Sequence, residues 1–165
     1  MHPITVTPSK NANGLFEWTL TYGGRSGTNG NYPPVSVGHR TRNNKFRIAL
    51  VDHSHGITFS DDPLWIQADS CPSMPGIDTP QIDKIEPGQT ILDFRDRNEG
   101  SAVNLWYRLN FNVPGLNPGD PGTFLDPEIR NGGGGGVGFA GFAALAIAVG
   151  VAAIAYVAYE AFFAN

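Results

Sequence analysis

At 165 residues and 41% hydrophobic content, the chain has room for one domain of ordinary size and an appendage, not for two full cores. Lys and Arg number 11 against 15 for Asp and Glu, a formal net charge of −4, so no nucleic-acid partner is expected. Cys71 has no second cysteine to pair with and there is no Asn-x-Ser/Thr acceptor, so a reduced compartment fits. The start, Met1 to Pro8, lacks the basic residues and apolar run of a secretory signal, and export by that route is not expected.

From the N-terminus the apolar residues recur with period two, the mark of half-buried strands. Ile4 to Thr7 is the first short run. In the next, Phe16, Trp18, Leu20 and Tyr22 alternate with Glu17, Thr19 and Thr21. Pro34 to Val37 follows, and then Phe46, Ile48 and Leu50 alternate with Lys45, Arg47 and Ala49. Shorter strands are predicted at Ile57 to Phe59, Leu64 to Ala68, Ile82 to Ile85 and Thr90 to Phe94. The longest pattern runs from Val103 to Val113, where only Trp106 breaks the polar face. Gly23-Gly24, Asn29-Gly30-Asn31, Asn43-Asn44, Pro87-Gly88, Asn98-Glu99-Gly100 and Pro118 to Gly122 supply the turns. So many short strands at such spacing predict a mainly β, antiparallel sandwich over residues 1–131.

After Asn131 the composition changes. Gly132 to Gly136 form a polyglycine linker, and beyond them the sole charged side chain is Glu160. The uncharged stretch from Val137 to Tyr159 would make a helix of roughly 34 Å, enough to cross a hydrocarbon core of about 30 Å. A transmembrane α-helix is therefore predicted over 137–163. Ala140, Ala144, Ala148 and Ala152 recur every four residues with Gly141 and Gly150 beside them, a small-residue ridge of the kind that lets another helix approach closely in lipid. Tyr156, Tyr159, Phe162 and Phe163 have the composition of an interfacial belt. Arg130 on the head side, under the positive-inside rule, predicts a cytoplasmic head on a single-pass membrane protein. Gly136 to Gly141 formally match the dinucleotide pattern G-x-G-x-x-G, but that fingerprint needs a strand before it and a second parallel strand after its helix, which the pattern here does not supply.

The Ile-Thr-Val-Thr start, the segment Ile85-Glu86-Pro87-Gly88-Gln89-Thr90, the strand Trp106 to Phe111 and the closing Leu125 to Asn131 together resemble the cupredoxin-like β-sandwich. They are similar in particular to small bacterial proteins of the DP-EP type. The resemblance implies a cupredoxin- or immunoglobulin-like outline and no reaction. Cupredoxin copper needs two His, a Cys and usually a weak Met. Cys71 and Met74 do cluster, with His53 and His55 upstream, but no histidine follows Cys71, so the usual loop ligand is missing and no cofactor is expected.

Phosphate loops, nucleophile elbows and zinc-protease helices are absent from the sequence, and Asp61, Asp62, Asp93 and Asp96 read as solvated carboxylates. His39, Arg40, Arg42, Lys45 and Arg47 form a basic cluster suited to anionic headgroups or an acidic partner, or to guarding an edge strand. These features predict a non-enzymatic accessory subunit. Its partners would be integral membrane subunits of a larger complex, such as a respiratory or photosynthetic one, and the lipid bilayer. The alternatives are a membrane-tethered metal-binding or electron-transfer protein, and a self-associating membrane protein forming a homo-oligomer.

Overall fold

A computed structural model describes residues 1–131 apart from 29, 39–41, 53, 69 and 100–103. The linker at 132–136 and the helix expected at 137–163, with its alanine ridge and aromatic belt, lie outside the described residues. Among the described residues there are strands and turns but no helix, and so none long and apolar enough to cross a membrane.

The first sheet begins with β1 (His2–Lys10), β2 (Phe16–Tyr22) and β3 (Arg25–Thr28). The two-residue turn between β2 and β3 is Gly23-Gly24, with φ of 57° and 77°. That left-handed pair matches the twist of the flanking strands and is easy only for glycine. Gly27 is required for a different reason, since a Cβ there would lie 1.9 Å from the Asn31 carbonyl oxygen. Next come β4 (Val35–Val37), β5 (Asn44–Leu50), β6 (Thr58–Ala68), β7 (Ile77–Asp78), β8 (Ile82–Pro87) and β9 (Ile91–Asp96). The series closes with β10 (Asn104–Asn112), β11 (Phe124–Leu125) and β12 (Glu128–Asn131).

Among the described residues the strands form two sheets, ordered β3-β2-β1-β5-β9-β8 and β4-β12-β10-β6-β7, with β11 also on β10. The expected mainly β architecture is present, but the sheets are mixed rather than antiparallel throughout. β1 runs parallel to β5, β12 to β4 and β6 to β7. The reason is the path of the chain: after β3 it crosses to the second sheet to lay down β4, and on its return β5 enters beside β1 in the same direction, Ile4 opposite Ile48. A parallel pair needs such a crossover, whereas a hairpin always gives an antiparallel one.

Alternation fixes which side of each strand is dry. β5 reads buried at Phe46, Ile48 and Leu50 and exposed at Lys45 and Arg47, and β10 buries Leu105, Tyr107, Leu109 and Phe111. Both sheets contribute to one core. Trp18 of the first sheet stacks on Phe111 of the second at 4.0 Å between ring centroids, and Phe111 stacks on Phe59 at 5.4 Å, so the sheets pack face to face. Each buried large side chain contributes about 1.5–3 kcal/mol of apolar transfer energy. The Trp18 indole N–H donates to the Gly122 carbonyl at 3.0 Å, tying the turn around Pro118 to Gly122 onto the core.

At the other end of the core His2 stacks on Phe46 at 4.9 Å, with its Nδ1 2.8 Å from the Tyr22 hydroxyl, and Phe46 stacks on Phe94 at 4.8 Å. Tyr107 is fully buried, its hydroxyl has no partner among the described residues, and burial pushes its pKa up.

Candidate functional site

The outward face of the second sheet holds a compact cluster of aromatic and charged side chains. It is built by register: Arg108 of β10 stands opposite Trp65 of β6, and two residues along, Asn110 stands opposite Phe124 of β11. On a pleated strand these positions project to one side, so β6, β10 and β11 deliver Trp65, Arg108 and Phe124 to the same face. The Arg108 guanidinium lies 4.2 Å from the Phe124 ring centre and 5.3 Å from that of Trp65. Its Nε and Nη2 donate to the two Asp126 carboxylate oxygens at 2.6 and 3.1 Å. Cation–π attraction and a two-pronged ion pair therefore act on one arginine whose side chain is only 19% exposed. The Trp65 indole N–H donates to Asp62 at 2.8 Å, and the Asn110 amide donates to the Asp62 carbonyl at 3.2 Å, which orients the tryptophan wall.

Cys71 belongs to this cluster. Cys71 is itself exposed, yet its thiol is pushed up to about 11 by desolvation first and then by the nearby Asp126 carboxylate; Arg108 acts in the opposite direction and does not prevail. A thiol so held is a weak nucleophile and a poor soft ligand near neutral pH, because both roles need the thiolate. Met74, on the same loop, is 74% exposed.

His55 lies elsewhere. It sits three residues before the 11-residue strand β6, whereas Cys71 sits three residues after it, which at about 3.3 Å per residue is a separation of order 30 Å. His55 Nδ1 is 2.9 Å from Asp52, and its ring meets Phe16 edge-on at 5.2 Å. Asp52 accepts the backbone N–H groups of Ile57 at 2.7 Å, His55 at 3.0 Å and Ser54 at 3.2 Å. Burial alone would raise its pKa, but these N–H groups and the His55 ring override burial and hold the carboxyl well below the usual carboxylate range. The segment is a self-contained turn knitted by one carboxylate. His53 lies outside the described residues. Among those described, no three His, Cys, Asp or Glu residues gather as a metal set, and the structure does not bring together His55, Cys71 and Met74.

Of the basic cluster, Lys45 and Arg47 project from β5 on the outer face of the first sheet, and His39 lies outside the described residues. Arg40 lies outside the described residues, and Arg42 is exposed. Arg47 forks onto Asp93 across the β5–β9 pair at 2.6 and 2.9 Å, which lowers the Asp93 pKa. Lys45 stands opposite Arg95 of β9. Arg95 in turn holds Asp83 of β8, which Arg97 also contacts at 2.8 Å. The four carboxylates singled out in the sequence are not paired with one another: Asp93 goes to Arg47, Asp62 to Trp65, and Asp96 accepts the Asn98 N–H at 2.8 Å, while Asp61 is exposed.

Sequence reasoning missed Trp65, Arg108, Phe124 and Asp126. The available signal was an arginine at the centre of the polar face of the longest strand, with aromatic residues at both flanks of the sheet. Comparison of the chain with protein-family models, with curated proteins and with solved structures gives no match.

Proposed function

We propose that this protein is a non-enzymatic, membrane-anchored accessory subunit whose β head makes protein contacts. The observation that carries the proposal is the uncharged run from Val137 to Tyr159, long enough as a helix to span a bilayer and ridged with Ala140, Ala144, Ala148 and Ala152 for packing against a neighbouring helix. The head supports it through the Trp65–Arg108–Phe124 face. Tryptophan and arginine are the side chains most enriched where protein interfaces carry their binding energy, and here they are held rigid before any partner arrives. The cupredoxin-like outline belongs to the same proposal as a scaffold only.

The test is extraction followed by co-purification. The full chain is expected to stay with membranes through an alkaline wash and to elute in mild detergent together with integral membrane proteins. Arg108→Ala is expected to remain in the membrane while losing part of that company. A chain released by the alkaline wash, or one that always elutes alone, would overturn the proposal.

A further inference from the structure

A groove of about 330 Å³ opens on the outer face of the first sheet, lined by Lys45, Arg47, Lys84, Glu86, Asp93 and Arg95. Its charge does not cancel. Four cationic side chains face two carboxylates, and adding the Met1 ammonium that also lines the groove, the adjoining Asp83 and Arg97, and the Glu99 carboxylate that acts on Arg95 leaves the same excess of two positive charges in a protein whose formal net charge is −4.

Two local features make that excess unusual. Lys45 stands directly opposite Arg95, and like charges at opposed positions on neighbouring strands repel. Arg95 is drawn aside by Asp83, which Arg97 shares, so Lys45 has no carboxylate of its own among the described residues. Lys84 lies within the irregularity between Asp83 and Glu86, where the β8–β9 register shifts, and its φ is 49°. A non-glycine side chain in the left-handed region is strained, and bulges of this kind re-aim a side chain. Here the re-aimed side chain is a second lysine with no ion-pair partner among the described residues, at the rim of the same groove.

From these features we infer that the groove is a binding site for a phosphate-bearing anion. Lys45 and Lys84 supply the uncompensated charge, and Arg47 and Arg95, each already positioned by a carboxylate, form its walls. An anion seated there removes the Lys45–Arg95 repulsion and gives the conformation of Lys84 a purpose. The volume is that of a site for a small ligand or a single headgroup, so the phosphate comes either from a soluble molecule or from a lipid. The inference does not depend on the membrane-anchored reading.

The chain contains three lysines, Lys10, Lys45 and Lys84, and Lys10 lies on β1 near the Phe16 ring, outside the groove lining. The full chain, reconstituted in phosphatidylcholine vesicles, is treated with an amine-acetylating reagent and the modification of each lysine is read by mass spectrometry. In one arm inorganic pyrophosphate is added; in the other, phosphatidylglycerol replaces part of the phosphatidylcholine. Slower acetylation of Lys45 and Lys84 with Lys10 unchanged is expected in at least one arm, and the arm that responds identifies the source of the phosphate.

The Lys84→Asn variant removes the charge while keeping a residue that tolerates the left-handed region. It is expected to need about tenfold more pyrophosphate or phosphatidylglycerol for the same protection of Lys45, the effect of one lost charge-assisted contact. Equal acetylation of all three lysines in both arms would overturn the inference. So would slowing of Lys10 in parallel with the other two, or protection of Lys45 that is unchanged in the variant.

Discussion

Arg47–Asp93 on the first sheet and Arg108–Asp126 on the second are the same two-pronged pair, each within hydrogen-bond distance and each on an outward face. Their surroundings differ. Arg47 is 48% exposed and its neighbours are charged, whereas Arg108 is 19% exposed and faces two aromatic rings. In water an ion pair is worth little, because solvent competes for both partners and salt screens them. Against aromatic walls the guanidinium gains from the ring faces and water has less access to it, while the two carboxylates are about equally exposed. One sheet therefore presents a solvated, salt-sensitive set of charges and the other a patch walled by aromatic rings. That division agrees with assigning ion capture to the first and protein contact to the second.

The largest effect expected of this contrast is chemical. With its thiol pushed up to about 11, Cys71 should react with iodoacetamide at pH 8 about a hundredfold more slowly in the native chain than in urea, since the thiolate fraction falls tenfold per unit. Asp126→Asn should recover part of that rate, and a native rate equal to the unfolded one would remove Cys71 from the patch.

Next in size, Arg108→Ala should lower stability by about 2–3 kcal/mol in urea titration, because it removes the ring contacts and leaves Asp126 half-buried without its partner. Arg47→Ala should cost far less, and its effect should disappear in 1 M NaCl, roughly 3 Å being the screening length there. Equal losses from the two substitutions would mean that the two faces do not differ.

The smallest effect concerns acid. Arg95 holds Asp83, and Arg47 holds Asp93, below the usual carboxylate range. A depressed carboxyl contributes stability that is present above its unfolded pKa, about 3.9, and is lost as pH falls through the folded value. The double variant Asp83→Asn, Asp93→Asn should therefore lower the melting temperature modestly at pH 7 and flatten the acid limb below about pH 5, the two profiles drawing together as the pH falls.

Much of the fold was legible in the sequence, and its limits have physical causes. The alternation at 103–113 located β10 and its buried face because one side of that strand is core and the other is surface. The runs 57–59 and 64–68 read as two strands, yet they are one strand, β6. Ser60-Asp61-Asp62-Pro63 has the composition of a turn, but its pairing with β10 shifts register between Leu109 and Phe111, and that irregularity absorbs the proline. β3 escaped notice because Arg25-Ser26-Gly27-Thr28 has no apolar residue to alternate. The parallel pairs could not be read locally, since β1 and β5 are brought together by the path of the chain through the second sheet and not by any turn.

The site was less legible than the fold. Cys71 and Met74 stood out as metal-ligating residue types, but the partners that decide the character of Cys71, Arg108 and Asp126, are distant in sequence and unremarkable in type. Arg108 resembles any polar residue on an exposed strand face until the register sets it between Trp65 and Phe124.

The position of β12 bears on how the protein is made. Although β12 is the last strand of the described residues, it does not lie at an edge: it runs between β4 and β10, and it buries Ile129 completely. During synthesis, then, the second sheet stays divided until Glu128–Asn131 has left the ribosome, with β4 unable to join β10 and the apolar faces of Val35 and Leu105 open to water. A nascent chain in that state presents unpaired strands to its neighbours, the condition under which aggregation competes with folding and chaperones are recruited. The interval in which the head is vulnerable closes with the arrival of four residues.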